Sequence, residues 1–212
     1  RLDLFQLESG AYIGTLDGSE SMPGQRRNQC MLSPNGKRVA ASYDQRDAGD
    51  VIKVWNTESR ECIESFPIES GYGLAISHDG SILADNARDI WNLNPSKRIV
   101  RIERGQYVHA DSALSADGGL LAASSFYTGK VSVWDATDGR LLATLDAADT
   151  PMDANRRTFV AFSPDGKSLA TATGRTVRVW SLPHFQLTQT LARGYRLIVA
   201  VICSIAFIVW SI

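Results

Sequence analysis

The sequence predicts an all-β fold of repeated four-stranded units, followed by one apolar C-terminal α-helix. Three observations predict it: a four-residue turn recurs along the chain, short alternating strands follow each turn, and the last residues are apolar without interruption. The chain has 212 residues, of which 21% are charged and 44% hydrophobic, with a formal net charge of -1. This balance is ordinary for a globular protein and gives no sign of nucleic-acid binding.

The repeated turn has the form Ser-x-Asp-Gly or Ser-x-Asn-Gly. Its copies are separated by 44, 38 and 48 residues, which is the spacing of a repeat protein. Proline fixes φ at the second position of two copies, Asp or Asn bonds back to the backbone, and Gly accepts a positive φ. Each copy therefore predicts a tight turn between two strands. The copies begin at Ser33, Ser77, Ser115 and Ser163.

Short strands follow each turn. The first is rich in small residues, as in "LAAS" from Leu121, and the second alternates and ends in an aromatic residue, as in "VSVW" at 131–134. Period-two alternation with β-branched residues is typical of half-buried strands. A final strand follows each aromatic residue after a polar turn, so each unit holds four hairpin-connected strands, as in a propeller blade. The copy at Ile90 is degenerate, because Arg88 and Asp89 occupy positions that are apolar or loop elsewhere.

Two segments carry a resemblance to a known family. "FVAFSPDGKSLATATGRTVRVWSL" (159–182) and "GKVSVWDATDGRLLATL" (129–145) resemble WD40 repeats. The resemblance covers about residues 1–192 and implies a WD40-like β-propeller that supplies binding surfaces rather than chemistry. The Gly-His pair expected before the first strand is missing from every unit, and Trp134 alone is followed by Asp. The Asp-His-Ser-Trp hydrogen-bond network of many family blades therefore cannot be assembled, and we expect divergent blades.

The repeats divide the chain into three parts. Residues 1–18 supply the third and fourth strands of an incomplete blade, residues 19–194 form four blades, and residues 195–212 form the helix. An unclosed ring would leave unpaired sheet edges. We therefore expect residues upstream of Arg1 to complete the ring to the seven blades usual in the family. Coverage of the edge by a partner subunit is the alternative.

The C-terminal segment predicts a transmembrane helix. Residues 197–212 contain no charge, Gly or Pro. As a helix they span about 24 Å, a little short of the roughly 30 Å of hydrocarbon, and interfacial residues could add a turn. A pair of buried strands is the alternative, but no turn residue interrupts the run. The residues expected at the interface or in helix packing are Tyr195, Arg196, Cys203, Ser204, Ala206 and Trp210.

The basic residues before this helix predict its orientation. Arg193 and Arg196 directly precede the apolar run, and positive charge favours the cytoplasmic side of a membrane. We therefore expect a single-pass membrane protein whose propeller lies on the cytoplasmic side, with the lipid bilayer contacted through residues 197–212.

The sequence contains no recognisable catalytic motif. A Gly-x-Ser-x-Gly elbow, a Walker loop and a His-Glu-x-x-His motif are all absent, and the three histidines fall in three different units. Two acidic loops lack the register of a calcium loop. We therefore expect no enzymatic activity, no cofactor and no metal. The acidic residues of those loops are Asp44, Asp47, Asp50, Asp146, Asp149 and Asp153.

The candidate partner site is a set of cations placed alike in three units. An arginine pair lies seven and six residues before the first and fourth turns, and a histidine lies six residues before the third. In a WD40-like blade this is where the inter-blade loop enters the innermost strand, so these cations would converge at one rim and suit carboxylate or phosphate. The alternative is that each arginine pairs with acids of its own loop, such as Asp153, or is solvated. The cations are Arg26, Arg27, His109, Arg156 and Arg157.

These observations predict a non-catalytic, membrane-anchored propeller. It would act as a protein-interaction scaffold or as an accessory subunit of a membrane complex, with integral membrane proteins as partners and no nucleic acid. The alternative comes from a resemblance of architecture: a propeller followed by a C-terminal membrane helix is similar to the tail-anchored exchange factors that act on a small GTPase at the endoplasmic reticulum. No GTPase-contacting loop can be matched in this sequence.

Overall fold

Antiparallel β-sheets make up the protein. The structure, a computed structural model, describes residues 1–19, 26–44, 49–69, 73–85, 88–102, 109–125, 128–148, 157–182 and 184–192. Over these residues the all-β prediction is confirmed, with four four-stranded sheets and one two-stranded sheet.

The predicted transmembrane helix lies outside the described residues, together with all of its expected interface and packing residues. Within the described ranges, no helix long and apolar enough to cross a membrane is found.

Each four-stranded sheet is a blade whose strands are neighbours in chain order. The two-stranded sheet, here called the half-blade, contains β1 (Asp3–Phe5) and β2 (Tyr12–Thr15). Blade one contains β3 (Arg26–Leu32), β4 (Arg38–Asp44), β5 (Asp50–Asn56) and β6 (Cys62–Ile68). Blade two contains β7 (Leu74–Ile76), β8 (Ile82–Asp85), β9 (Asp89–Leu93) and β10 (Ser96–Arg101). Blade three contains β11 (His109–Leu114), β12 (Leu120–Ser125), β13 (Lys130–Asp135) and β14 (Leu141–Asp146). Blade four contains β15 (Thr158–Phe162), β16 (Ser168–Thr173), β17 (Thr176–Ser181) and β18 (Gln186–Ala192).

The strand directions define two rims. Because neighbouring strands are antiparallel, the start of the first strand, the hairpin between the second and third strands, and the end of the fourth strand lie at one end of each blade. We call this end rim A. The repeated Ser turns and the hairpins between third and fourth strands lie at the other end, rim B. The first strands contact one another in order, β3 with β7, β7 with β11 and β11 with β15, so they are the innermost strands.

The repeated turns have one hydrogen-bond scheme. In blade one the Ser33 hydroxyl accepts the amide N–H of Arg38 at 2.9 Å and donates to Asn35 at 2.7 Å. The other three turns repeat both bonds, with the same 2.9 Å separation from the amide to the serine oxygen. Gly takes the left-handed conformation that closes the turn, with φ of 73° at Gly36. The predicted turn chemistry is therefore present in all four copies.

Buried apolar side chains fill the space between successive blades. Third-strand residues of one blade share each cluster with residues of the next: Ile52 and Val54 of blade one lie in one buried cluster with Leu74 and Leu83 of blade two. Full burial of such a side chain stabilises the fold by about 1.5–3 kcal/mol. Small residues on the second strands let neighbouring sheets approach closely: Ala40, Ala84, Ala122 and Ala170 are all buried.

The strand-ending tryptophans have different hydrogen-bond partners in different blades. In blade four the indole N–H of Trp180 donates to the Thr171 hydroxyl at 3.1 Å, inside the blade. In blade one Trp55 donates to the carbonyl of Asp17, at 2.7 Å, just after the half-blade. The buried indole nitrogen of Trp91 in blade two has no partner among the described residues. These differences describe how the blades diverge from one another.

Candidate interaction surface at rim A

Four of the five predicted cations lie at rim A, at or next to the starts of innermost strands. Arg26 and Arg27 are the first two residues of innermost strand β3, and His109 is the first residue of innermost strand β11. Arg157 directly precedes innermost strand β15. Arg156 lies outside the described residues. The backbone therefore brings four of the five positions to the starts of innermost strands, and Arg157 is the one of them whose side chain is described.

The Arg157 side chain is exposed and makes a cation–π contact with an aromatic ring. Its guanidinium carbon lies 5.1 Å from the centroid of the Phe159 ring, in cation–π geometry. Phe159 is itself 51% exposed. Arg157 takes part in none of the ion pairs formed among the described residues. Among the described residues, no carboxylate oxygen therefore lies within ion-pair distance of its guanidinium group.

A partly buried carboxyl group lies behind Arg157. Oδ2 of Asp111, on β11, accepts the amide N–H of Val160, on β15, at 3.0 Å and so connects the innermost strands of blades three and four. Burial raises the pKa of Asp111 to about 6, opposed by the Val160 hydrogen bond and by the charge of Arg157. Desolvation of the carboxylate is the dominant cause.

Blade one makes an equivalent connection with a neutral side chain. Oε1 of Gln29 accepts the amides of Gly73 and Leu74, at the start of blade two, at 3.0 and 2.8 Å. Gln29 and Asp111 both lie four residues before the Ser of their blade's turn, and both accept an amide three residues before the Ser of the next turn. Blade four has Phe159 at this position, and a phenyl ring cannot accept an amide in this way. We call this residue the connecting position.

The arginines of blade two pair with acids of the same region. Arg101 donates two hydrogen bonds to the buried Asp89, at 2.8 and 2.7 Å, and Arg98 approaches Asp89 to 3.7 Å. Arg88 and Arg101 also form ion pairs with Glu69. The hydrogen bonds that Arg101 donates to Asp89 raise the pKa of Arg101. The charges of these arginines are therefore neutralised by carboxylates of the same region.

The tip of the β16–β17 hairpin adds a cation that sequence reasoning missed. Arg175 is exposed at rim A of blade four and takes part in no ion pair within the described ranges. The repeat pattern did not identify Arg175, because this residue lies outside the repeated spacing before the Ser turns. Over the same ranges, no group of three or more His, Cys, Asp or Glu side chains is placed to hold a metal ion. Asp47, Asp149 and Asp153 lie outside them.

Comparison with protein families gives one match. Residues 139–181 match the WD domain, G-beta repeat family. This segment begins just before β14, the outermost strand of blade three, and ends with β17 of blade four. The unit that repeats in the sequence is therefore offset by one strand from the blade.

Several curated proteins are similar in sequence. The chain is 28% identical over 168 residues to apoptotic protease-activating factor 1 of Homo sapiens, covering 75% of this chain and 13% of that protein. It is 30% identical over 177 residues to the uncharacterized WD repeat-containing protein sll1491 of Synechocystis sp. (80% and 45%). It is 28% identical over 156 residues to small ribosomal subunit protein RACK1y of Oryza sativa subsp. japonica (69% and 44%). The chain thus spans less than half the length of each of these relatives.

A solved structure has the same architecture. A chain in the crystal structure of the mitotic checkpoint complex superposes with a TM-score of 0.70, covering 91% of this chain and 58% of that chain. The sequence identity is 16%, so this likeness bears on the fold alone. The superposition and the four observed blades support a β-propeller fold for this chain. The match over residues 139–181 supports the WD40 repeat family.

Proposed function

We propose that this chain is a non-catalytic interaction scaffold that binds protein partners at rim A and serves as a subunit of a larger complex. The exposed guanidinium group of Arg157 at the start of an innermost strand is the observation that carries the proposal. One comparison agrees with a subunit role, because RACK1y is named as a small ribosomal subunit protein. WD repeat propellers generally supply surfaces rather than chemistry.

The proposal includes membrane anchoring through residues 195–212. It is supported by the sixteen uncharged residues from Leu197 to Ile212. Confinement to a membrane would raise the effective concentration of the propeller near its partners. In this arrangement the partners are integral membrane proteins that pack against Cys203, Ser204 and Ala206, and the propeller lies on the cytoplasmic side.

Native co-purification tests the scaffold proposal. The tagged full-length protein is extracted in mild detergent, separated by size and identified with its partners by mass spectrometry. We expect a stoichiometric complex, and a protein that elutes alone at every detergent and salt concentration would contradict the proposal. Alkaline extraction of membranes tests the anchor separately, with a variant lacking residues 195–212 as the control. We expect only the intact chain to stay with the membrane.

No feature of the described residues favours the exchange-factor alternative. A nucleotide-release assay with a candidate small GTPase would reveal it, and accelerated release would count against the scaffold proposal.

A further inference from the structure

The same hydrogen bond joins two pairs of innermost strands, but different chemical groups accept it. Gln29 of blade one accepts the amide of Leu74 in blade two at 2.8 Å, and Asp111 of blade three accepts the amide of Val160 in blade four at 3.0 Å. The side-chain amide of Gln29 is neutral at every pH, whereas the carboxyl group of Asp111 can lose a proton. The bond between blades three and four is therefore made by a titratable group, and its counterpart between blades one and two is not.

The strands around Asp111 favour its neutral form. Three strands pack against β11, namely β7, β12 and β15, and none of them contains an acidic or basic residue. A carboxylate placed among them loses water without gaining a cation from these strands. Desolvation accordingly raises the pKa of Asp111 to about 6, against the opposing effects of the Val160 hydrogen bond and of the charge on Arg157, which precedes β15. A proton therefore binds Asp111 more tightly in the closed junction than in water.

Two further side chains bond across this junction, and neither changes its charge near neutral pH. The Ser124 hydroxyl donates to the carbonyl of Thr158 at 2.7 Å, and Arg178 donates to the carbonyl of Ala147, in the segment that leaves blade three. A serine hydroxyl is neutral and a guanidinium group stays protonated throughout this range. The other titratable residue on β11 is His109, at the start of the strand, and histidine also titrates near neutral pH. A test of Asp111 must therefore control for His109.

We infer that the junction between blades three and four is a pH-sensitive switch, closed more firmly when Asp111 carries a proton and opening more often when that proton is lost. Opening here means a local separation of β11 from β15 that admits water to the Asp111 carboxyl and to the Val160 amide. The carboxylate regains its hydration in the open state, so its ionisation favours opening. The sign follows from the raised pKa: the closed junction is most stable in acid and loses stability as pH rises from 3.8 through about 6.

Hydrogen exchange in the full-length protein measures how often each junction opens. The Val160 amide reports on the junction between blades three and four, and the Leu74 amide, held by the neutral Gln29, is the internal control. Both amides are followed between pH 5 and pH 7.5 by mass spectrometry with electron-transfer fragmentation, which resolves single residues. Division by the intrinsic exchange rate at each pH converts the measured rates to protection factors. The measurement needs no partner, so the inference does not depend on the scaffold proposal.

We expect the protection factor of Val160 to fall about tenfold from pH 5 to pH 7.5, while that of Leu74 changes by less than about twofold. Asp111→Asn should remove the pH dependence at Val160, because the side-chain amide can accept the same bond without ionising. Gln29→Glu should create a fall of the same sign at Leu74, since it places a carboxyl group at the equivalent position. His109→Gln should leave the pH dependence at Val160 unchanged.

Three results would overturn the inference. Equal pH dependence at Val160 and Leu74 in the unsubstituted protein would show that both amides exchange through opening of the whole fold. A pH dependence at Val160 that survives Asp111→Asn, or that disappears with His109→Gln, would assign it to another group. Thermal unfolding checks that each variant is folded, and the gain expected from Gln29→Glu keeps the inference testable should Asp111→Asn fail to fold.

Discussion

Replacement of Asp111 by Asn should stabilise the propeller at neutral pH and leave its stability unchanged in mild acid. The carboxyl oxygen accepts the Val160 amide between blades three and four at 3.0 Å, and the amide oxygen of Asn can accept the same bond without carrying a charge. The native side chain must be desolvated as a carboxylate above its pKa, whereas Asn never is. The difference between the two proteins therefore isolates the cost of ionising this one buried group.

The size and sign follow from the shift in pKa. Burial raises the pKa of Asp111 from 3.8 to about 6 in the folded protein, so between these values the folded state binds more protons than the unfolded chain. The free energy of unfolding therefore falls as pH rises through this window. A shift of about 2 units corresponds to roughly 3 kcal/mol at most. We expect Asp111→Asn to match the native protein near pH 4 and to exceed its stability by about 2–3 kcal/mol at pH 7.5.

Urea unfolding followed by tryptophan fluorescence, at intervals from pH 4 to pH 7.5, measures this difference. The comparison with the variant is needed because other carboxyl groups change the free energy of unfolding in the opposite direction. Hydrogen bonds from Ser115 and Ser163 lower the pKa values of Asp117 and Asp165, so the stability that these carboxylates contribute is lost on acidification. A stability difference that does not change with pH would refute the reasoning. A variant less stable than the native protein at pH 7.5 would also refute it, because the interactions of the carboxylate would then stabilise the fold by more than its desolvation destabilises it.

Two further substitutions test the packing of the blades, each by urea unfolding. Gly118→Ala should lower the free energy of unfolding by about 1–3 kcal/mol more than Gly36→Ala does. Both glycines have φ of 73°, but an added Cβ at Gly118 would lie 2.8 Å from Ile82 of the preceding blade, whereas at Gly36 it would meet open space. Equal losses would contradict this. Thr171→Val should cost about 1–3 kcal/mol by leaving the buried indole N–H of Trp180 without its acceptor, whereas Thr171→Ser should restore most of that loss, and an equal loss in both variants would show that the hydrogen bond contributes little.

Local chemistry made the blades predictable from the sequence. The Ser turns carry their own hydrogen-bond partners within five residues, and the alternation before Trp134 fixes which face of a strand is buried, so neither signal depends on distant residues. The degenerate copy in blade two was visible for the same reason. The ion pairs of this copy could not be predicted, because Asp89 pairs with Arg101 on the neighbouring strand and Glu69 lies at the end of the preceding blade.

The candidate site was only partly predictable. The spacing before the turns placed Arg157 at the start of an innermost strand, since that placement depends on position in the repeat alone. Its cation–π contact with Phe159 and the exposure of Arg175 depend on which side chains meet at one strand end. Asp111 carried no signal in a single sequence. Its hydrogen-bond partner is the backbone amide of residue 160 in the next blade, and every residue except proline has such an amide, so the sequence does not reveal the contact.

The connecting position shows that the junctions between blades are not equivalent. Where it holds Gln29 or Asp111, a side chain of one blade accepts the innermost amide of the next, and this bond adds direction to an otherwise apolar contact. In blade four the same position holds Phe159, whose ring centroid lies 5.1 Å from the guanidinium carbon of Arg157. Blade two holds Gly73 there, and the carbonyl of Gly73 accepts the Ser112 hydroxyl of blade three at 2.7 Å. The three described junctions between four-stranded blades therefore use a glutamine side chain, a glycine carbonyl and an aspartate side chain, and only the aspartate makes the strength of its junction depend on pH.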